Sequence, residues 1–206
     1  MYLKEAKTLL TKAMQAAFGP DYPDPDFRRF PNSRSKPGLF VSIEYPEHKP
    51  NYPGIWVDFE PIGALEQAGI EHREEVVNEG SDLITQTTRW RFGGWATFTT
   101  VALTSLERDR LFDEVVRVLG FGQFDPIRGR FRASIESNTQ IAMDVMWAII
   151  DQRGFSASPG TPWQTDEIVY EATAAIQVIG EFVSAPDGTG LLPLSEIVVT
   201  PYTALE

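Results

Sequence analysis

The sequence predicts an α+β protein: an antiparallel β-sheet of five to seven strands with two main helices on one face and a long polar arm or loop. Three patterns carry that expectation. From Ile168, the residues Tyr170, Ala172, Ala174, Ile176, Val178 and Phe182 alternate with Glu171, Thr173, Gln177 and Glu181. Period two over about fifteen residues is a strand well beyond the usual five or six. Residues 95–104 read as a central strand, with Trp95, Val101 and Leu103 on one side and Ala96, Phe98 and Ala102 on the other. A helix follows directly, opened by Thr104 with Glu107 three residues on, the spacing of a capping box.

The other elements follow from the same rules. Residues 3–18 place Leu3, Ala6, Leu10, Ala13 and Ala17 at three- and four-residue steps, with Lys4, Glu5 and Lys12 opposite. Gly19-Pro20 closes that helix, since proline lacks the donor needed to continue it. A turn-rich stretch from Asp21 to Gly38 leads to two short strands, Leu39–Tyr45 and Gly54–Glu60, joined by a plausible hairpin connection from Pro46 to Pro53. Pro61–Gly69 reads as a loop and Glu71–Glu79 is charge-rich, so 61–94 is expected to protrude as an arm from a single domain spanning 1–206. Leu111, Val115, Val118 and Leu119 stripe the second helix, and Gly120 stops it. Phe131–Glu136 reads as a strand. Ile141–Ile150 fits either period and is assigned to a strand for want of an N-cap. Asp187-Gly188 marks a turn, with Glu196–Thr200 returning as a short partner strand.

Composition narrows the function. The chain has 206 residues, 42% hydrophobic and 12% aromatic, enough for a core without staples. It has no cysteine, which excludes disulfides and thiolate chemistry. No apolar run reaches the ~18 residues of a membrane span, and the opening residues lack a signal-peptide core, so synthesis in the cytoplasm and no membrane partner are expected. A net charge of −11 disfavours duplex binding as the main role. Arg28, Arg29, Arg34 and Lys36, and Arg128, Arg130 and Arg132, form basic clusters that are expected to be ordinary solvated charge or paired by the nearby acids.

The residues that could do chemistry are few. His48 and His72 have no second histidine at ligand spacing. Neither a nucleophile elbow nor a phosphate loop is present; Gly120-Phe121-Gly122 follows a helix where a dinucleotide motif must follow a strand. Asp58 and Glu60 stand two apart on one strand face, a spacing open to acid–base work but also normal for a solvated face. Asp21, Asp24 and Asp26 carry intervening prolines that break a calcium-loop pattern. Trp56, Trp90, Trp95, Trp147 and Trp163 suit core or interface packing better than sugar stacking. The expectation is therefore no catalytic, cofactor-binding or metal site and no enzyme; a small carboxylate-dependent hydrolase and a carbohydrate-binding module stand as rivals of another class.

Three stretches carry a resemblance: Tyr52–Phe59, Arg89–Gly122, and Gly160–Trp163 running on through Ser184. The block Thr100–Glu114 resembles a strand–helix unit common in tail proteins of tailed bacteriophages, and the chain is similar to tail-terminator and minor tail proteins, whose small α+β subunits assemble into rings. The resemblance implies a structural component of the virion, a tail-terminator-like ring subunit at the head–tail junction. Its partners would be copies of itself and other tail or neck proteins, with DNA at most passing through the lumen. The alternative within that class is a baseplate-side minor tail protein adapting tube to fibres.

Overall fold

A computed structural model of the chain describes residues 2–29, 38–46, 48–67, 73–77, 84–121, 125–138, 141–161 and 164–184. Three helices, α1 (Tyr2–Ala17), α2 (Ser105–Phe121) and α3 (Arg130–Glu136), accompany strands β1 (Phe40–Ser42), β2 (Gly54–Gln67), β3 (Arg73–Val77), β4 (Ile84–Ala102), β5 (Ile141–Thr161) and β6 (Gln164–Ser184). The fold is α+β. The strands form one six-stranded sheet in the order β1-β2-β4-β6-β5, with β3 beside β4.

The centre of the sheet is the antiparallel β4–β6 pair, which runs from Thr88↔Ser184 to Ala102↔Tyr170 without a register shift. Its two faces differ. Phe92, Ala96 and Phe98 of β4, with Ala172, Ala174, Ile176 and Val178 of β6, are buried under the helices. Small residues let the helices come close. Aromatic rings cover the glycines: a Cβ on Gly94 would meet the Phe59 ring and the Glu60 carbonyl at 2.5 Å, and one on Gly180 would meet the Phe92 ring and the Ala142 carbonyl.

Both amphipathic helices form as their periodicity dictates. Helix α1 buries Ala6, Leu10, Ala13, Met14 and Ala17, and α2 buries Leu111, Phe112, Val115, Val118 and Leu119, in one continuous core. Thr104 Oγ1 accepts the Glu107 amide at 3.2 Å, which is half of the expected capping box. The Glu107 carboxylate takes a backbone bond at Leu103 instead of returning to Thr104.

Four expectations need correction. The stretch 131–136 is helix α3, not a strand. Phe131 and Ile135 are both fully buried, one turn apart, with Phe131 edge-on to Phe98 at 5.6 Å. Burying those two side chains is worth about 1.5–3 kcal/mol each; a strand would turn Ala133 to the same side, whereas the helix leaves it exposed. Strands β1 and β2 are parallel, so the sheet is mixed and 43–53 is a crossover, not a hairpin. The crossover lies on the sheet face opposite the helices, where Tyr45 and Tyr52 pack with Val101, Val169 and Leu103 in a second small core.

The third and fourth corrections concern length and the loop expected at Pro61–Gly69. Pro61–Gln67 continues β2, and residues 73–77 and 84–94 are strands of the same sheet. Pro61 is tolerated because β1 flanks β2 only at Gly54–Trp56, leaving no ladder partner beside it for a missing donor to disappoint. Glu60–Glu66 are exposed at every position, so both faces of this ribbon lie outside the helical layer. Strands β5 and β6 are each 21 residues, longer than the sequence indicated. The turn at Asp187-Gly188 and the strand at Glu196–Thr200 lie outside the described residues.

The glycines give a test of this packing. Gly94→Ala and Gly180→Ala should each cost about 2–3 kcal/mol through overpacking. Gly93→Ala, whose Cβ would meet nothing nearer than 3.9 Å, should change stability by less than about 0.5 kcal/mol. Urea denaturation of the three variants reads the difference.

Candidate functional site

The groups singled out for chemistry are held by structural partners. Lys7 of α1 pairs with Asp58, whose Oδ1 also accepts the Phe59 amide at 2.8 Å. Glu60 is exposed two residues further along the same face. Asp21 takes a two-pronged contact from Arg130, both bonds at 2.7 Å, and Arg110 bridges Asp24 and Asp26 at 3.0 and 3.2 Å. Asp24 also caps the 3-10 turn Pro25–Phe27 by accepting the Asp26 amide. Among the described residues no cluster of three histidines or carboxylates is placed to hold a metal ion. His48 is exposed at the start of a short turn, and His72 lies outside the described residues.

The second basic cluster is paired with acids. Arg128 meets Glu114 and Asp125, Arg130 meets Asp21, and Arg132 meets Glu136. Arg28 donates to the Tyr22 carbonyl at 2.7 Å. Arg34 and Lys36 lie outside the described residues. Trp56 donates its indole N–H to the Ile43 carbonyl at 3.1 Å and stands edge-on to Tyr45, so its polar edge is committed to the crossover. Trp90 and Trp95 are half-buried in β4; the side chains of Trp147 and Trp163 lie outside the described set.

Sequence reasoning missed a buried polar cluster. Glu114 is only 8% exposed, on the core side of α2. Its Oε2 accepts the Tyr22 hydroxyl at 2.5 Å and Arg128 Nη2 at 3.0 Å, and its Oε1 accepts Arg117 Nη1 at 2.5 Å. Burial and the facing carboxylate push the Tyr22 phenol well above its usual range, so it stays protonated and donates. The cluster ties the turn after α1, the middle of α2 and the approach to α3. Glu114 looks like any helix acid in the sequence; its tyrosine is 92 residues away. A second tyrosine–carboxylate bond, Tyr45 to Glu171, fastens the crossover to β6, and Lys49 to Glu167 at 2.8 Å reinforces it.

One open cleft of about 510 Å³ lies between the Pro25–Phe27 turn, Pro53 and the start of α2. Leu106, Phe27 and Tyr52 line it beside Arg110 and Glu107, the last raised above the ordinary carboxylate range by burial. Arg110 is taken by Asp24 and Asp26, and the lining presents no nucleophile with a base beside it.

Surfaces remain. Strand β5 ends the sheet, with β6 as its only strand neighbour among the described residues, so its outer backbone edge presents donors and acceptors for pairing. Glu60–Glu66 of β2 are exposed on the far side of β4 and β6 from it. The sheet face away from the helices is covered at one end by the crossover and open at the other. No helix among the described residues is long and apolar enough to cross a membrane. No protein-family model matches the chain, and no curated protein shows significant similarity to it.

Two outcomes test the cluster. Glu114→Ala should destabilise by about 1–3 kcal/mol, because the buried Tyr22 hydroxyl loses its acceptor and Arg128 keeps only Asp125, while Tyr22→Phe should cost about 1 kcal/mol. Thermal unfolding checks both. The amides of Ile127 and Arg128 and the Arg128 guanidinium hold Asp125 below the ordinary value of 3.8. A depressed carboxylate stabilises the fold above its unfolded value and loses that contribution as pH falls through the folded one. Stability should therefore decline with acidification below 3.8, and Asp125→Asn should flatten that decline in denaturation curves taken across the range.

Proposed function

We propose that this chain is a non-catalytic structural subunit of a bacteriophage tail, a tail-terminator-like protein that closes into a ring with copies of itself. The observation that carries the reading is the outer edge of β5. A 21-residue strand with one strand neighbour among the described residues is an assembly hazard on a lone molecule and a joining surface in a ring. The exposed ribbon supports it, since a segment that buries little of its own surface has surface to give a neighbour. The resemblance of Tyr52–Phe59 and the Thr100–Glu114 strand–helix unit to tail proteins supplies the setting. Head-to-tail contact between the β5 edge of one copy and the ribbon of the next is the joining mode that uses both features.

The committed partners of the candidate groups point the same way. Asp58 is ion-paired, the aspartates at 21, 24 and 26 hold arginines, and the Trp56 indole is bonded to backbone, so each has a structural task. Sedimentation and negative-stain imaging over a wide concentration range should show a concentration-dependent ring with a central opening. Ala142→Lys with Ala157→Lys, both at exposed β5 positions, should raise the concentration needed for assembly about tenfold or more by charging the edge. A species that stays monomeric throughout and is absent from purified tails would sink the reading.

A further inference from the structure

The open part of the sheet face has two properties that act together. The first is a notch. Ile62, Gly93 and Ile179 lie in one row across β2, β4 and β6. Ile62 is 51% and Ile179 52% exposed, and Gly93 between them has open space where a side chain would stand. The two isoleucines are the walls of a slot about 10 Å across, two strand spacings. Trp95 closes it on the side toward the crossover, and the Arg91–Glu181 pair, 2.6 Å, closes the other side.

The second property is charge. Glu60 and Glu66 of β2 and Asp144 and Asp151 of β5 share this face with the notch. Asp58 and Glu181 lie there too, paired with Lys7 and Arg91, and the register puts Arg89 and Arg153 on the same face. The helical side differs: Arg108, Arg110, Arg117, Arg130 and Arg132 are interleaved with acids and paired. The molecule's negative charge is therefore concentrated on the sheet side among the described residues.

We infer that this face is a docking site for a cationic polypeptide segment of another protein, which seats an aliphatic side chain in the Gly93 notch between Ile62 and Ile179. Complementary charge selects the occupant. A second copy offering the same face would bring like charge against like, and a nucleic acid would be repelled. An extended segment alternating lysine with an aliphatic residue places its apolar side chains on one side, toward the notch, and its charges within reach of the flanking carboxylates. Ile62, Glu60 and Glu66 also belong to the ribbon that ring closure would use, so peptide binding is read on the monomer below the concentration of assembly, where its failure leaves ring formation untouched.

The probe is a fluorescein-labelled heptapeptide of alternating lysine and isoleucine, followed by fluorescence anisotropy with the full chain. Gly93→Val fills the notch in space that the backbone leaves open, and should weaken binding about tenfold, the loss of one buried aliphatic contact. Glu60→Gln with Asp144→Asn should weaken it about fivefold. Asp109→Asn with Asp113→Asn, which removes the same charge from α2, should change it less than about twofold. Equal losses in the two neutralised pairs, or full affinity in Gly93→Val, would overturn the assignment and leave only attraction to an acidic protein. Absence of any binding, or preference for a DNA duplex over the peptide, would overturn it as well. Urea denaturation of each variant confirms that the fold is intact.

Discussion

Everything in this molecule is referred to the unshifted ladder between β4 and β6. Because that pairing holds one register from Thr88 to Ala102, every second residue on both strands is committed to the same side. A slip of one position would turn Phe98, Ala96, Ala174 and Ile176 to the open face and bring Trp95, Thr97 and Gln177 under the helices. The helices sit where they do because that side is alanine, glycine and a few rings. The other side is more polar and unevenly covered: Thr97, Thr99, Val101 and Ala175 are buried there, while Ile179 is exposed.

Where a segment meets the core, its residues announce their conformation. Helices α1 and α2 and the buried parts of β4 and β6 are legible because one face of each must be apolar, which imposes a period of 3.6 or two. The polar ribbon has no such obligation, so Glu60–Glu66 shows no alternation and reads as a loop. Phe131-Arg132-Ala133-Ser134-Ile135 satisfies both periods, and the winner was set by α1 and Phe98, far away in sequence. The parallel pairing of β1 with β2 was hidden because a proline-rich connection of this length suits a hairpin as well as a crossover.

The candidate groups show the same division. Pairing of Arg128, Arg130 and Arg132 was legible from the density of nearby acids, although their partners were not. Glu114 was illegible: burial of one carboxylate depends on Tyr22 and Arg128 arriving from two other elements. The docking face was equally hidden, because Ile62, Gly93 and Ile179 come from three strands and become neighbours only through register.

The disparity in length between the two layers has a mechanical consequence. Strand β6, at 21 residues, spans at most about 70 Å, whereas α2, at 17 residues, covers only about 26 Å. The helices reach β6 from Tyr170, beside Arg108 of α2, to Phe182, stacked on Tyr2 of α1, and β4 runs on past that backing at Ile84–Arg91. Such a tongue reaches about 25 Å beyond its support. A tilt of the body by roughly 5° would move its tip by about 2 Å, less than the rise of one strand residue, so small errors of seating leave strand alignment at the tip intact.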